Sequence, residues 1–263
     1  MPRFAANLTM LFTEVDFLDR FEAASRAGFA AVEYLFPYPY DKQVLAQKLS
    51  AHRLVQVLFN LPAGNWAEGE RGIACLPERV GEFREGVGKA VEYARALGCT
   101  QLNCLAGIPP PGVDPARARA TFVENLGHAA RALQREGMRL LVEPINTRDI
   151  PGFFLCHTRQ ALDVIAEVNE PNLHLQYDVY HMQVMEGDLV PTIERNLDRI
   201  AHVQIADTPG RHEPGTGEIH YPFVFERLDT LGYRGWVGCE YKPKAGTVAG
   251  LGWFAPYAAQ RAA

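Results

Sequence analysis

The chain has 263 residues, of which 48% are hydrophobic and 22% are charged, and its net charge is −5 at pH 7. This balance is typical of a globular protein, and no apolar run is long enough to span a bilayer. The negative charge and the lack of a basic stripe argue against a nucleic-acid partner.

Short apolar segments typical of strands alternate along the chain with longer segments of helical periodicity. The pattern predicts eight strands, at 4–8, 31–35, 55–60, 101–105, 139–143, 173–178, 202–206 and 236–240. It predicts eight helices, at 17–27, 42–52, 80–97, 115–135, 158–168, 189–197, 223–231 and 248–259.

Eight strand–helix repeats without a long linker predict an α/β protein with one (β/α)8 barrel, a single catalytic domain over residues 1–263. A doubly wound open sheet is the alternative. Its first strand-to-helix turn normally carries a GxGxxG motif, and residues 8–13 contain no glycine. The barrel is therefore the predicted fold.

Four of the later predicted strands carry a side chain with an oxygen donor at or near their ends: Glu143, Asp178, Gln204 and Glu240. Neighbouring members are about one strand-plus-helix unit apart, so in a closed barrel they converge on one mouth. Three carboxylates gathered at one point repel one another unless a divalent cation lies between them. The sequence therefore predicts a metal site, in which the two glutamates can also transfer a proton.

Two alternatives remain open at these strand ends. Each glutamate could simply cap a helix or pair with Arg148 or Lys242. His202 lies two residues before Gln204 on the same strand face, and a register shifted by two residues would make it the ligand. Oxygen ligands alone suit Mg²⁺ or Mn²⁺, whereas a histidine shifts the preference towards Mn²⁺, Co²⁺ or Zn²⁺.

Four further side chains could bind a substrate. His181 follows Asp178 in an Asp-x-x-His pattern and could turn back over the barrel mouth towards a substrate oxygen. Arg71, Arg211 and Lys242 could hold an anionic group, because a guanidinium fork in particular matches a carboxylate. The long loops after the third and fifth strands are the expected places for specificity determinants.

Five cysteines without CxxC spacing suggest reduced thiols. Glu14 and Asp16 interrupt the N-terminal apolar stretch, so that stretch does not resemble a signal peptide. Together these features predict a cytoplasmic location.

Six segments, spread along nearly the whole chain, carry a family resemblance: RFAANLTMLFTEVDFLDRFEAASRAGF, NLPAGNWAEGERGIACLPER, VEPINTRDIPGFFL, QYDVYHMQ, HVQIADTPGRHEPGTGEIHY and GWVGCEYKP. They closely resemble bacterial hydroxypyruvate isomerases, within the wider group of xylose-isomerase-like TIM barrels. A sister branch that isomerises 2-oxo-tetronates is closely similar, but the EGERGIAC and EPINTRDIPGF loops look more like the hydroxypyruvate type.

The resemblance implies roles for the four strand-end residues. The family's metal ligands correspond to Glu143, Asp178, Gln204 and Glu240, which favours Gln204 over His202. Its catalytic glutamates correspond to Glu143 and Glu240. The implied reaction interconverts hydroxypyruvate and 2-hydroxy-3-oxopropanoate through a metal-stabilised enediolate, with Mg²⁺ or Mn²⁺ as cofactor and a homo-oligomer as a possible assembly.

Four other functions compete with this interpretation. An endonuclease of the same barrel type would need a histidine-rich multi-zinc site and a DNA-binding surface. A sugar epimerase or an inosose-type dehydratase would use a similar metal site, although the ketose epimerases carry His where this chain has Gln204. A catalytically silent sugar-acid binding protein would not need the pair of glutamates.

Overall fold

The computed structural model describes residues 1–258, in which eight parallel strands form a closed barrel in the order β1 to β8. The fold class predicted from the sequence is confirmed. The strands are β1 Arg3–Asn7, β2 Ala31–Glu33, β3 Val55–Asn60, β4 Gln101–Cys104, β5 Arg139–Val142, β6 Leu173–Asp178, β7 Ile200–Ile205 and β8 Trp236–Cys239.

Helices surround the barrel and bury their apolar faces against the outside of the strands. They are α1 Arg20–Arg26, α2 Lys42–Ala51, α3 Val80–Leu97, α4 Pro115–Gln134, α5 Thr158–Val168, α6 Val179–Met185, α7 Leu189–Asn196, α8 Tyr221–Thr230 and α9 Ala255–Ala258. Short 3-10 helices lie at Phe17–Asp19, Trp66–Glu68, Pro77–Arg79 and Val248–Trp253. Within residues 1–258, no helix combines the length and the apolar character needed to cross a bilayer.

Most predicted elements coincide with the observed ones to within a few residues, but three differ. The strand predicted at 202–206 begins two residues earlier, at Ile200. The helix Val179–Met185 was not predicted, because Asp178 both ends β6 and caps this helix by accepting a hydrogen bond from the Tyr180 backbone N–H, 2.8 Å away. The helix predicted at 248–259 is a 3-10 helix followed by the short α9, and residue 259 lies outside the described part.

On three strands, the buried residues of one face change from apolar to polar towards the carboxyl end. Ala5, Ala31 and Leu141 belong to a small buried cluster separate from the main core. Two residues further along the same strands or just beyond them, and therefore on the same face, come Asn7, Glu33 and Glu143. The polar side chains thus collect at the carboxyl ends of the strands, where enzymes of this fold have their active sites.

Candidate active site

A cavity of about 90 Å³ opens at the carboxyl ends of the strands. One part of its wall is polar and includes Glu143, His181, Gln204, Arg211 and Glu240. The other part is apolar and is formed by Met10, Leu58, Trp66, Leu105, Ile145 and Ile150. Residues 145 and 150 come from the loop after β5 and Trp66 from the loop after β3, so both long loops contribute to the cavity.

Four side chains at the base of this cavity could hold a metal ion. Glu143, Asp178, His181 and Glu240 are all buried, and each offers a ligand atom within 4.8 Å of the others. Glu143 and Glu240 each follow directly after a strand, and Asp178 is the last residue of β6. Barrel closure thus brings together the three carboxylates that the sequence analysis expected to converge.

Burial and mutual repulsion make these carboxylates weak acids. Burial, reinforced by the charges of Glu240 and Asp178, raises the pKa of Glu143 well above its ordinary value. Burial also raises the pKa of Glu240 to about 8, although the nearby Arg211 opposes the shift. The pKa of Asp178 rises to about 6 for the same reason, again opposed by Arg211. The cluster is therefore costly in its fully ionised form unless a cation compensates it.

The donor set fits a hard divalent cation. Asp178 is fully buried, and its Oδ2 accepts no hydrogen bond from the described residues, whereas Oδ1 is occupied by the Tyr180 backbone N–H. A buried carboxylate oxygen without a partner is costly. Because this atom lies beside two further carboxylates and an imidazole nitrogen, a cation would satisfy it.

Gln204 lies at the edge of the cluster, next to Asp178 in the strand register. Its Nε2 donates to Glu33 Oε1 at 2.8 Å, and its Oε1 accepts from Gln176 Nε2 at 2.6 Å. The amide oxygen has a second lone pair, which could still serve a metal ion. His202 lies deeper in the barrel, 2.7 Å from Glu33, and does not line the cavity.

His181 lies in the first turn of α6 and points into the cluster. Its Nε2 is 3.5 Å from Asp178 Oδ2 and 3.8 Å from Glu143 Oε1, while its Nδ1 is 2.6 Å from Asn146 Nδ2. Burial, together with the charge of Arg211, lowers the pKa of His181 well below its usual value. A neutral imidazole can contact a substrate oxygen or bind a metal ion.

Arg211 extends into the cavity from the loop between β7 and α8. Its Nη2 is 2.8 Å from Glu240 Oε2, and its Nη1 is 3.3 Å from Asp149 Oδ2. The guanidinium lies over the Tyr180 ring, 5.0 Å from its centroid, and the buried Nε has no partner among the described residues. This arginine therefore places a positive charge beside the acidic cluster and keeps one buried N–H without a partner among the described residues.

Arg71 and Lys242 do not line the cavity. Arg71 stacks on the Trp66 ring at 4.2 Å and donates to the Trp66 carbonyl oxygen at 3.0 Å, so it holds this wall of the cavity from behind. Lys242 has an exposed side chain. Of the three predicted cations, Arg211 is the one whose side chain lines the cavity.

Several polar residues of the barrel interior were missed by the sequence analysis. Asn103 Nδ2 donates to Glu143 Oε2 at 3.0 Å, and Asn7 Nδ2 approaches Glu240 Oε1 at 3.4 Å. Glu33 and Gln176 contact Gln204, as described above. The available signal was a polar residue at alternate positions of an otherwise apolar strand, as in QLNC and AVEYLF.

Comparison with known proteins identifies the family. The family model described as the xylose isomerase-like TIM barrel matches residues 21–257. The chain belongs to this family. A hydroxypyruvate isomerase of Escherichia coli (strain K12) is 55% identical over 257 residues, which cover 98% of this chain and 100% of that protein. A 2-oxo-tetronate isomerase of Cupriavidus necator is 51% identical and covers 98% of this chain and 99% of its own length. The chain is accordingly an isomerase of this family.

Solved structures agree on the fold. One described as an AP endonuclease, family 2, from Brucella melitensis has a TM-score of 0.96 at 51% identity, covering 98% of this chain and 99% of its own. A D-allulose 3-epimerase from Methylomonas sp. has a TM-score of 0.78 at 22% identity, covering 99% of both chains. The second similarity supports the fold alone.

Proposed function

We propose that this isomerase interconverts hydroxypyruvate and 2-hydroxy-3-oxopropanoate, with Glu143 and Glu240 as the two proton-transferring groups. The observation that supports this most directly is the pair of buried glutamates with raised pKa values in a small cavity. Burial that raises the pKa of a carboxyl group makes its carboxylate a stronger base, as the removal of a proton from carbon requires. The loop resemblance and the relative at 55% identity favour hydroxypyruvate over the 2-oxo-tetronates.

In the proposed reaction, one glutamate removes a proton from C3 of hydroxypyruvate and the other delivers a proton to C2, while the proton of the C3 hydroxyl passes to the C2 oxygen. Asn103 and Asn7 orient the two carboxylates, since each donates a side-chain N–H towards one of them. His181 lies where it can contact the C2 or C3 oxygen. The apolar wall around Trp66 excludes water from the enediolate.

We propose that Mg²⁺ or Mn²⁺ is bound by Glu143, Asp178, Gln204 and Glu240. When bound, such an ion supplies Lewis-acid stabilisation of the negative charge that develops on the enediolate oxygens. His181 also lies within the buried cluster, so it competes with Gln204 for the fourth position. The carboxylate oxygens favour the two hard ions over Zn²⁺.

The proposed substrate is a small oxo acid, and the proposed setting is a single catalytic domain in the cytoplasm, with a homo-oligomer as the proposed assembly. The five cysteines are free thiols, which supports a reducing compartment. A multi-zinc nuclease site would need several histidines. The cluster found among residues 1–258 holds one histidine and three carboxylates, which favours isomerisation.

A side-by-side assay tests the substrate. With Mg²⁺ or Mn²⁺ added, we expect kcat/KM for hydroxypyruvate to exceed that for the 2-oxo-tetronates by about tenfold or more, because the walls of this small cavity leave little room for the additional carbon. The initial rates of both reactions would be measured on one preparation. A preference for the four-carbon acids would assign the enzyme to the sister branch instead.

Replacing Arg211 by Gln tests how the substrate carboxylate is bound. We expect KM for hydroxypyruvate to rise by about tenfold to a hundredfold, since a charge-assisted hydrogen bond contributes about 1.5–3 kcal/mol. The change Lys242→Gln removes a cation whose exposed side chain does not line the cavity, and should leave KM unchanged. Equal changes in KM for the two variants would contradict the proposal that Arg211 binds the substrate carboxylate.

A further inference from the structure

Glu33 is a buried carboxylate for which the proposed reaction has no direct use. It is 1% exposed, lies on β2, and is surrounded by three hydrogen-bonding groups. Asn7 Nδ2 and Gln204 Nε2 both donate to its Oε1, at 3.0 and 2.8 Å, and His202 Nε2 lies 2.7 Å from its Oε2. Such complete pairing is what a buried carboxylate requires.

The orientations of the two amides around Glu33 follow from hydrogen-bonding rules. Asn7 Oδ1 accepts the Thr9 backbone N–H at 3.0 Å, so its Nδ2 must face Glu33. A carboxylate only accepts hydrogen bonds, so Gln204 must likewise turn its Nε2 towards Glu33. The Gln204 oxygen consequently faces the opposite way, where Gln176 Nε2 donates to it at 2.6 Å.

The barrel leaves space for the Glu33 carboxylate at one glycine. A Cβ added at Gly238, in β8, would lie 2.4 Å from both carboxylate oxygens of Glu33. Gly238 is paired with Gln204 in the strand register and lies two residues before Glu240. Glu33 therefore occupies a position that no larger residue at 238 would allow.

We propose that Glu33 is a positioning residue of the metal site: it fixes the amide of Gln204 with its oxygen available as a ligand, and it holds Glu240 through Asn7. The link to Glu240 is Asn7 Nδ2, which lies 3.0 Å from Glu33 Oε1 and 3.4 Å from Glu240 Oε1. The proposal rests on the proposed function in one respect, namely that these residues bind a divalent ion. Partners that orient metal ligands typically change metal affinity by about 10- to 100-fold.

The test is direct binding of Mn²⁺ to the full-length protein after chelator treatment and dialysis, with free Mn²⁺ measured by electron paramagnetic resonance. Glu33→Gln keeps the size of the side chain but allows the Gln204 amide to turn over, because an amide both donates and accepts. We expect this variant to bind Mn²⁺ at least about tenfold more weakly than the wild type. Equal affinity of the two proteins would overturn the proposal.

A second variant keeps the proposal testable if Glu33→Gln fails to fold. Gly238→Ala retains Glu33, but the added methyl group would lie 2.4 Å from both of its carboxylate oxygens and therefore displaces them. We expect this variant to bind Mn²⁺ more weakly than the wild type. Unimpaired Mn²⁺ binding by Gly238→Ala would overturn the proposal.

Asn125→Ala serves as a control for the loss of a buried polar contact elsewhere. Asn125 is fully buried in α4 and donates to the Ala74 carbonyl oxygen at 2.9 Å, outside the barrel interior. The Asn125→Ala substitution should lower the melting temperature of the protein without changing its affinity for Mn²⁺. A wild-type protein that binds no divalent ion would refute the metal site and this inference together. If the wild type binds Mn²⁺ and the Glu33→Gln variant binds it equally well, the inference alone would be refuted.

Discussion

Replacing either Glu143 or Glu240 by Gln is expected to lower kcat for hydroxypyruvate isomerisation by about 10³- to 10⁴-fold, at the upper end of the range for loss of one acid–base group. A glutamine has nearly the same shape and can still occupy its place beside Asn103 or Asn7, but it cannot exchange a proton. Initial rates with added metal ion would be compared with those of the wild type.

The two substitutions should also reveal which glutamate acts on which carbon. The variant that retains the base at C3 should still exchange the C3 hydrogen of hydroxypyruvate with D₂O, although it forms no product. The other variant should lose both exchange and isomerisation. Nuclear magnetic resonance of the recovered substrate would measure the exchange.

The fold of each variant must be checked, because the substituted positions are buried. We expect the circular dichroism spectrum to be unchanged and the melting temperature of the metal-free protein to be equal to or above that of the wild type. The reason is that each change removes one of three repelling carboxyl groups. Full isomerase activity in either well-folded variant would exclude the two-glutamate mechanism.

Removal of divalent metal is expected to abolish isomerisation, and addition of Mg²⁺ or Mn²⁺ to restore it. Without the ion, nothing neutralises the charge that develops on the enediolate oxygens, and electrostatic stabilisation of this kind is often the largest contribution to catalysis. The metal ion should also raise the melting temperature, because it binds the folded protein and relieves repulsion between Glu143, Asp178 and Glu240.

The measurement is the rate before and after treatment with a chelator, with residual metal quantified by elemental analysis. The same chelator, saturated with Ca²⁺ before it is added, serves as a control for direct inhibition of the enzyme by the reagent. If protein that is verified to be metal-free keeps its full activity, the metal has no role in the reaction. The two glutamates would then act by acid–base catalysis alone.

The barrel itself could be predicted because its signals are local. The alternation of strand and helix periodicities and helix-ending glycines such as Gly98 are readable within short windows. The helix after β6 was missed because Asp178 serves both elements and leaves no separate turn signal.

Residues that act by themselves at a strand end were also predictable, whereas residues that act through partners were not. The positions of Glu143, Asp178 and Glu240 follow from the rule that strand ends converge. Arg71 and Arg211 look equivalent in the sequence, since both lie in glycine-containing loops. One supports Trp66 from behind and the other lines the cavity, a difference that depends on how each loop folds back.

The sequence by itself determined the fold class, the four strand-end oxygen donors and the family, because each of these depends on residue types at regular spacing. Only the tertiary structure decided that His181 joins the carboxylates and that Glu33, from a strand far away in the sequence, accepts a hydrogen bond from the Gln204 amide. Both depend on contacts across the closed barrel. Residues 33 and 204 meet at 2.8 Å because closure brings β2 and β7 to face each other, and no local pattern encodes that distance.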